Sequence, residues 1–152
     1  MAGVAPKIED FTLRISIDTH VKAGLEATFS ALLDQMGPLN TTPEGVVLKM
    51  KLEDWPGGRW YRDLGHGNGH YWGTVQAIKR PTLLEICGPL FASYPLLSNL
   101  QYRLSEEQGG TLMQFRHTAL GFIDEQHKKG VGSGWSNLLE AVRARAEGLT
   151  EH

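Results

Sequence analysis

Several things are scarce in this chain, and each scarcity removes a class of protein. Among 152 residues there is one cysteine, Cys87. It can form no internal disulfide, and a lone thiol suits a reducing compartment, so a cytoplasmic location is expected. No apolar run reaches the roughly 18 residues of a membrane span. Met1 to Asp10 lacks the apolar centre of a secretory signal. Charge of either sign is not in excess: 15 Lys and Arg face 17 Asp and Glu, for a net charge of −2. The basic residues are scattered, which leaves no footprint for nucleic acid or an anionic membrane. Internal repeats, low-complexity stretches, Ser-His-Asp or Cys-His arrangements and phosphate-cradling glycine motifs are all missing. Gly130, Gly132 and Gly134 are spaced by two and lack the strand-to-helix context of such a motif. They are read as close backbone approach or a flexible entry to a last helix. The length predicts one domain over 1–152, with 1–10 as a loose lead-in, and a chain of this size needs no metal or disulfide to hold it.

What is present is periodicity. Phe11, Leu13, Ile15 and Ile17 alternate with Thr12, Arg14, Ser16 and Asp18, the pattern of a half-buried strand. Leu25, Phe29, Leu32, Leu33 and Met36 recur at helical spacing, predicting a helix over about 23–35 that Gly37-Pro38 stops. Residues 37–45 read as a loop. Further strands are predicted over 46–53, 59–64, 70–79 and 83–88, then around Leu100-Tyr102-Leu104 and Met113-Phe115-His117-Ala119. Residues 121–132 are expected to lead into a last helix whose stripe is Trp135, Leu138, Leu139, Val142, Ala146 and Leu149. Short turns between successive strands force antiparallel pairing. One antiparallel sheet with its helices on one face is an α+β fold.

The order of certain motifs is similar to a known family. Pro56-Gly57-Gly58-Arg59-Trp60 is followed by Gly73-Thr74-Val75 ahead of Pro81, and then by Leu83-Leu84-Glu85-Ile86. Gly110-Thr111-Leu112 runs on to His117, and Gly134-Trp135 with Leu138 closes the series. From about Phe11 to Leu149 the chain resembles the SRPBCC superfamily, also called START or birch-pollen-allergen-like, in the branch named after the activator of heat shock protein 90 ATPase. The resemblance implies a helix-grip fold: a curved antiparallel sheet of six to seven strands wrapped around a long C-terminal helix, with a hydrophobic cavity between them. It implies an apolar small molecule or lipid as partner and no cofactor. Two alternatives come with it, a chaperone-ATPase-activator-like interaction protein and a polyketide cyclase or dehydratase.

Candidate site residues follow from strand parity and ring chemistry. His117 shares parity with Met113 and Phe115 and is expected to face inward, where an imidazole could exchange protons near neutrality. It is the one weak catalytic candidate, with Tyr71 or Tyr102 as proton donors. Trp60, Tyr71, Tyr102, Met113, Phe115, His117, Trp135 and Leu139 are expected to line a ligand cavity. Only one of Tyr71 and Trp72 can face in, and Tyr71 shares parity with Gly73 and Val75, so Tyr71 is the expected inner residue. Arg62 shares parity with Trp60; Glu85 and Arg116 are expected to face out. His66 and His70 lie in a glycine-rich hairpin with no completing ligand set, so no metal site is expected.

One connection is unusual. Residues 88–98 hold two prolines and carry Leu90, Phe91, Tyr94, Leu96 and Leu97, whereas loops are normally polar. An apolar loop must cover something. Phe91 and Tyr94 are expected at a cavity entrance or in a homodimer contact, the alternative being local packing against the end of the sheet, with Leu96 in phase with Leu100 and Tyr102.

Overall fold

The structure, a computed structural model, describes residues 5–148. Leu149, the last member of the apolar stripe, and the first four residues of the lead-in lie outside the described residues. The rest of the lead-in is partly a 3-10 turn, Ile8–Phe11. The elements that follow are β1 (Thr12–Val21), α1 (Leu25–Met36), β2 (Met50–Leu52), β3 (Arg59–Gly65), β4 (Asn68–Lys79), β5 (Leu83–Gly88), β6 (Leu96–Glu107), β7 (Gly110–Gly121) and α2 (Glu125–Ala146).

The seven strands form one antiparallel sheet in the order β1-β7-β6-β5-β4-β3-β2. Neighbours in sequence pair except at β1, which closes on β7, with Ile15 opposite His117 and Ile17 opposite Phe115. The sheet curves around α2 in a helix-grip arrangement, and α1 packs beside α2. Alternation does the sorting: Met113, Phe115, His117 and Ala119 of β7 are buried, as are Leu100, Tyr102 and Leu104 of β6. Against them α1 sets Phe29, Leu32 and Met36, and α2 sets Trp135, Leu139 and Val142.

Two boundaries differ from the sequence reading. The last helix begins at Glu125 and takes in residues expected to lead into it, with Gly130, Gly132 and Gly134 all inside. Asp124 caps it, its side chain accepting from the His127 N–H at 2.7 Å. Three interior glycines cost a helix roughly 1 kcal/mol each against alanine. The cap and the buried stripe of Val131, Trp135, Leu139 and Val142 offset that cost. The second strand is not the eight residues of 46–53 but only Met50–Leu52. Lys49 has φ 57°, which breaks the extended run. Thr41 and Val47 instead form an isolated antiparallel bridge, and the Leu48 N–H donates to the Asn40 carbonyl at 3.0 Å. This folds 40–48 back beside α1.

Candidate functional site

Where the gap between sheet and last helix was expected to be hollow, it is solid at its centre. Tyr102 and Phe115 are fully buried with ring centroids 4.9 Å apart, and Phe115 lies 5.0 Å from the Trp135 ring. Tyr102, Met113, Phe115 and Leu139, expected as cavity walls, are core filling. The Tyr102 hydroxyl donates to the Met36 sulfur at 3.2 Å, and burial pushes its phenol upward.

The space lies to one side. A groove of about 690 Å3 runs between α2, the folded-back segment after α1, and strands β3 and β4. Its floor is Trp60, Val131 and Trp135, all buried. Its rim includes Pro43, Phe91 and Asn137, all exposed. None of the groove residues is Asp, Glu, Lys or Arg. The glycines explain why room remains here. A Cβ at Gly130 or Gly134 would have nothing within 4 Å, so both positions face open space on the groove side of α2. An ordinary side chain there would occupy the groove.

Trp72, not Tyr71, is the inner residue of its pair. Trp60 pairs with Gly73 and Tyr61 with Tyr71, so Trp72 is an extra residue opposite that step. A bulge of this kind inverts parity, so counting back from Gly73 and Val75 gives the wrong face. Tyr71 is 45% exposed and bonds to the Thr74 hydroxyl. The bulge sits where β4 and β5 approach closely: a Cβ at Gly88 would lie 2.5 Å from the Gly73 Cα and from the Trp72 carbonyl oxygen. That carbonyl instead accepts from the Leu90 N–H at 2.8 Å, which draws the apolar connection onto Trp72.

A chain of rings results. Trp72 packs edge-on against Trp60 at 5.1 Å and against Phe91 at 5.7 Å. Phe91 stacks on His127 at 5.1 Å with an interplanar angle of 20°. The polar tips are tied: Trp60 Nε1–H donates to the Met36 carbonyl at 2.7 Å and Trp72 Nε1–H to His70 Nδ1 at 2.9 Å. His70 is thereby a partner of Trp72, not of His66. Among the described residues no group of three or more His, Cys, Asp or Glu converges as a metal site would require.

Phe91 lines the groove; Tyr94 does not. Tyr94 packs on a second small core of Ala92, Leu96 and Ala119, and its hydroxyl bonds to His127 Nδ1. The two expectations for the 88–98 connection therefore divide between its two rings. His127, which the sequence reading passed over, sits at the junction. Its Nε2 is buried without a partner among the described residues, and burial holds its pKa below the usual imidazole value, against the opposing pull of Asp124. Trp72 and His127 escape the sequence pattern for different reasons: one is placed by a bulge, the other by an early helix start.

His117 is fully buried and is not a groove residue. Trp135 Nε1–H donates to its Nδ1 at 2.9 Å, which leaves the ring proton on Nε2, 3.0 Å from the Ser98 hydroxyl. Both nitrogens are occupied, and burial pushes the pKa down to about 4. His117 is not placed to exchange protons with a molecule in the groove, and neither Tyr71 nor Tyr102 reaches it as a donor. Arg62 is likewise not in the groove; its Nε donates to the Leu48 carbonyl at 3.0 Å. Glu85 accepts from Gln101 at 3.0 Å and Arg116 bonds Asp18 at 2.9 Å on the outer face. No helix among the described residues is long and apolar enough to cross a membrane.

The family described as "Activator of Hsp90 ATPase homolog 1-like protein" matches residues 43–147. No curated protein matches in sequence. Among solved structures, CalU16 from Micromonospora echinospora is 25% identical with a TM-score of 0.62, over 91% of this chain and 76% of that one. An uncharacterised protein from Rhizobium leguminosarum is 20% identical with a TM-score of 0.69, over 90% of this chain and 95% of that one. The Aha1 dimer from Colwellia psychrerythraea is 14% identical with a TM-score of 0.67, over 91% of this chain and 99% of that one. The last two similarities speak to fold alone.

Proposed function

The chain belongs to the Activator of Hsp90 ATPase homolog 1-like branch of the SRPBCC superfamily, and on that premise we propose that it binds a small, largely apolar, ring-containing molecule in the groove beside α2. One observation carries the reading: Trp60, Trp72, Phe91 and Trp135 converge on about 690 Å3 of open space with no charged side chain around it. Sites for drug-sized molecules occupy roughly 300–1,000 Å3 and are mostly apolar with a few fixed polar groups. Indole rings whose N–H groups are already bonded offer their faces and edges at little further cost in order. The two groove-facing glycines support the same reading, since a helix gains stability by replacing them and only the space they leave would favour keeping them.

The test uses N-phenyl-1-naphthylamine, an uncharged probe that brightens in apolar surroundings. Saturable binding at one site per chain is expected, with affinity unchanged between low and high salt because the groove is neutral. Absence of saturable binding, or binding that weakens steeply with salt, overturns the reading.

A further inference from the structure

Gln35 and Asn40 lie in the same groove and are nine-tenths buried, at 9% and 8% exposure. Neither side chain makes a hydrogen bond among the described residues, although the Asn40 backbone is engaged: its N–H donates to the Gly37 carbonyl and its own carbonyl accepts from the Leu48 N–H. Yet neither amide has a polar atom sealed from solvent without a partner, as His127 does. Their free donors and acceptors therefore open into the groove. Buried side-chain amides are nearly always bonded. Two amides with no partner on the chain, one at the end of α1 and one in the segment after it, line the same groove and mark a place where partners arrive from outside the chain.

The chemistry of that partner can be narrowed. A carboxamide presents one acceptor oxygen and an NH2 donor. A carboxylate or ammonium buried against these two would lose its water with no opposite charge in the groove to replace it. A bare hydrocarbon would leave four polar groups unpaired. An uncharged group with a donor beside an acceptor satisfies both constraints. Resting on the groove being the binding site, we infer that the ligand is a neutral aromatic molecule carrying an amide-like edge, such as a carboxamide or lactam, held by Gln35 and Asn40 while its rings lie among Trp60, Trp72 and Trp135.

Three matched probes test this by calorimetry: naphthalene-2-carboxamide, 2-naphthoate and 2-methylnaphthalene. The quantity read is the affinity of the carboxamide relative to the methyl compound, in the wild type and in a Gln35→Leu, Asn40→Leu double variant. The ratio is expected to fall about tenfold or more in the variant, the effect of losing hydrogen bonds to buried amides. Wild-type protein is expected to bind the naphthoate about tenfold or more weakly than the carboxamide, for want of a cation. Asn40→Asp, which keeps the shape and removes the donor, is expected to lower carboxamide affinity and serves if the double variant does not fold. An unchanged ratio with methylnaphthalene still bound overturns the amide assignment and leaves the groove reading standing. A naphthoate bound as tightly as the carboxamide also overturns it. If none of the three binds, both readings fall.

Discussion

The indole N–H of Trp135 donates to Nδ1 of His117 across 2.9 Å, joining the last helix to the seventh strand inside the core. With Ser98 on Nε2 at 3.0 Å, the ring is a two-ended tie. That arrangement assigns His117 to the stability of the fold, and it sets what its removal should do.

His117→Phe keeps a ring of similar size and strands the Trp135 N–H and the Ser98 hydroxyl. Each unpaired buried group costs about 1–3 kcal/mol. For a chain of this length, 1 kcal/mol corresponds to roughly 2–4 °C in Tm. A fall on the order of 5–15 °C is therefore expected by thermal denaturation. A variant as stable as the wild type would contradict the tie.

The same residue sets a pH dependence. In the folded chain its pKa is pushed down to about 4 by burial, against about 6.5 when unfolded. Above the unfolded value both states are neutral and the contribution is intact. As pH falls from about 6.5 to about 4 the unfolded chain takes up a proton the folded chain refuses, and stability is lost progressively, on the order of 3 kcal/mol in all. Chemical denaturation across this window should show that loss, and His117→Phe should show less of it. Equal slopes in both proteins would refute the assignment.

At Gly134 a side chain meets open space. Gly134→Ala is expected to raise stability by about 0.5–1 kcal/mol, the ordinary helix gain. Gly134→Leu should keep that stability and lose most N-phenyl-1-naphthylamine binding. Retained binding in a folded Gly134→Leu protein would remove α2 from the groove wall.

The two rings of the apolar connection should separate. Phe91 is 42% exposed, so Phe91→Ser is expected to cost little stability, under about 1.5 kcal/mol, while weakening probe binding. Tyr94→Ser removes a contact of the second small core and the bond to His127, and is expected to lower Tm more with a smaller effect on binding. A reversal of this pattern would exchange their roles.

Much of this fold is written in short-range alternation. The faces of β6 and β7, the apolar stripe of α2 and the outward Glu85 and Arg116 follow from parity alone. Parity fails where the backbone slips. The bulge at Trp72 inverts the face of Tyr71, and the positive φ at Lys49 ends a strand that Leu48, Met50 and Leu52 would otherwise continue. Both departures border the groove, so the region richest in candidate function is the least legible in sequence. Inwardness also does not distinguish a wall from a filling: Tyr102, Met113, Phe115 and Leu139 face in, as their spacing says, and meet one another. Gln35 and Asn40 carry no periodic signal at all. Their significance lies in the partners they lack, which only three dimensions reveal.

The most direct measurement follows the four indole N–H resonances of the 15N-labelled protein during titration with unlabelled indole. Trp60, Trp72 and Trp135 lie in the groove and Trp55, 55% exposed, lies outside it. The groove account predicts saturating shifts of the three groove indoles with Trp55 stationary. Shifts confined to Trp55, or no shift in any of the four at millimolar indole, would contradict it.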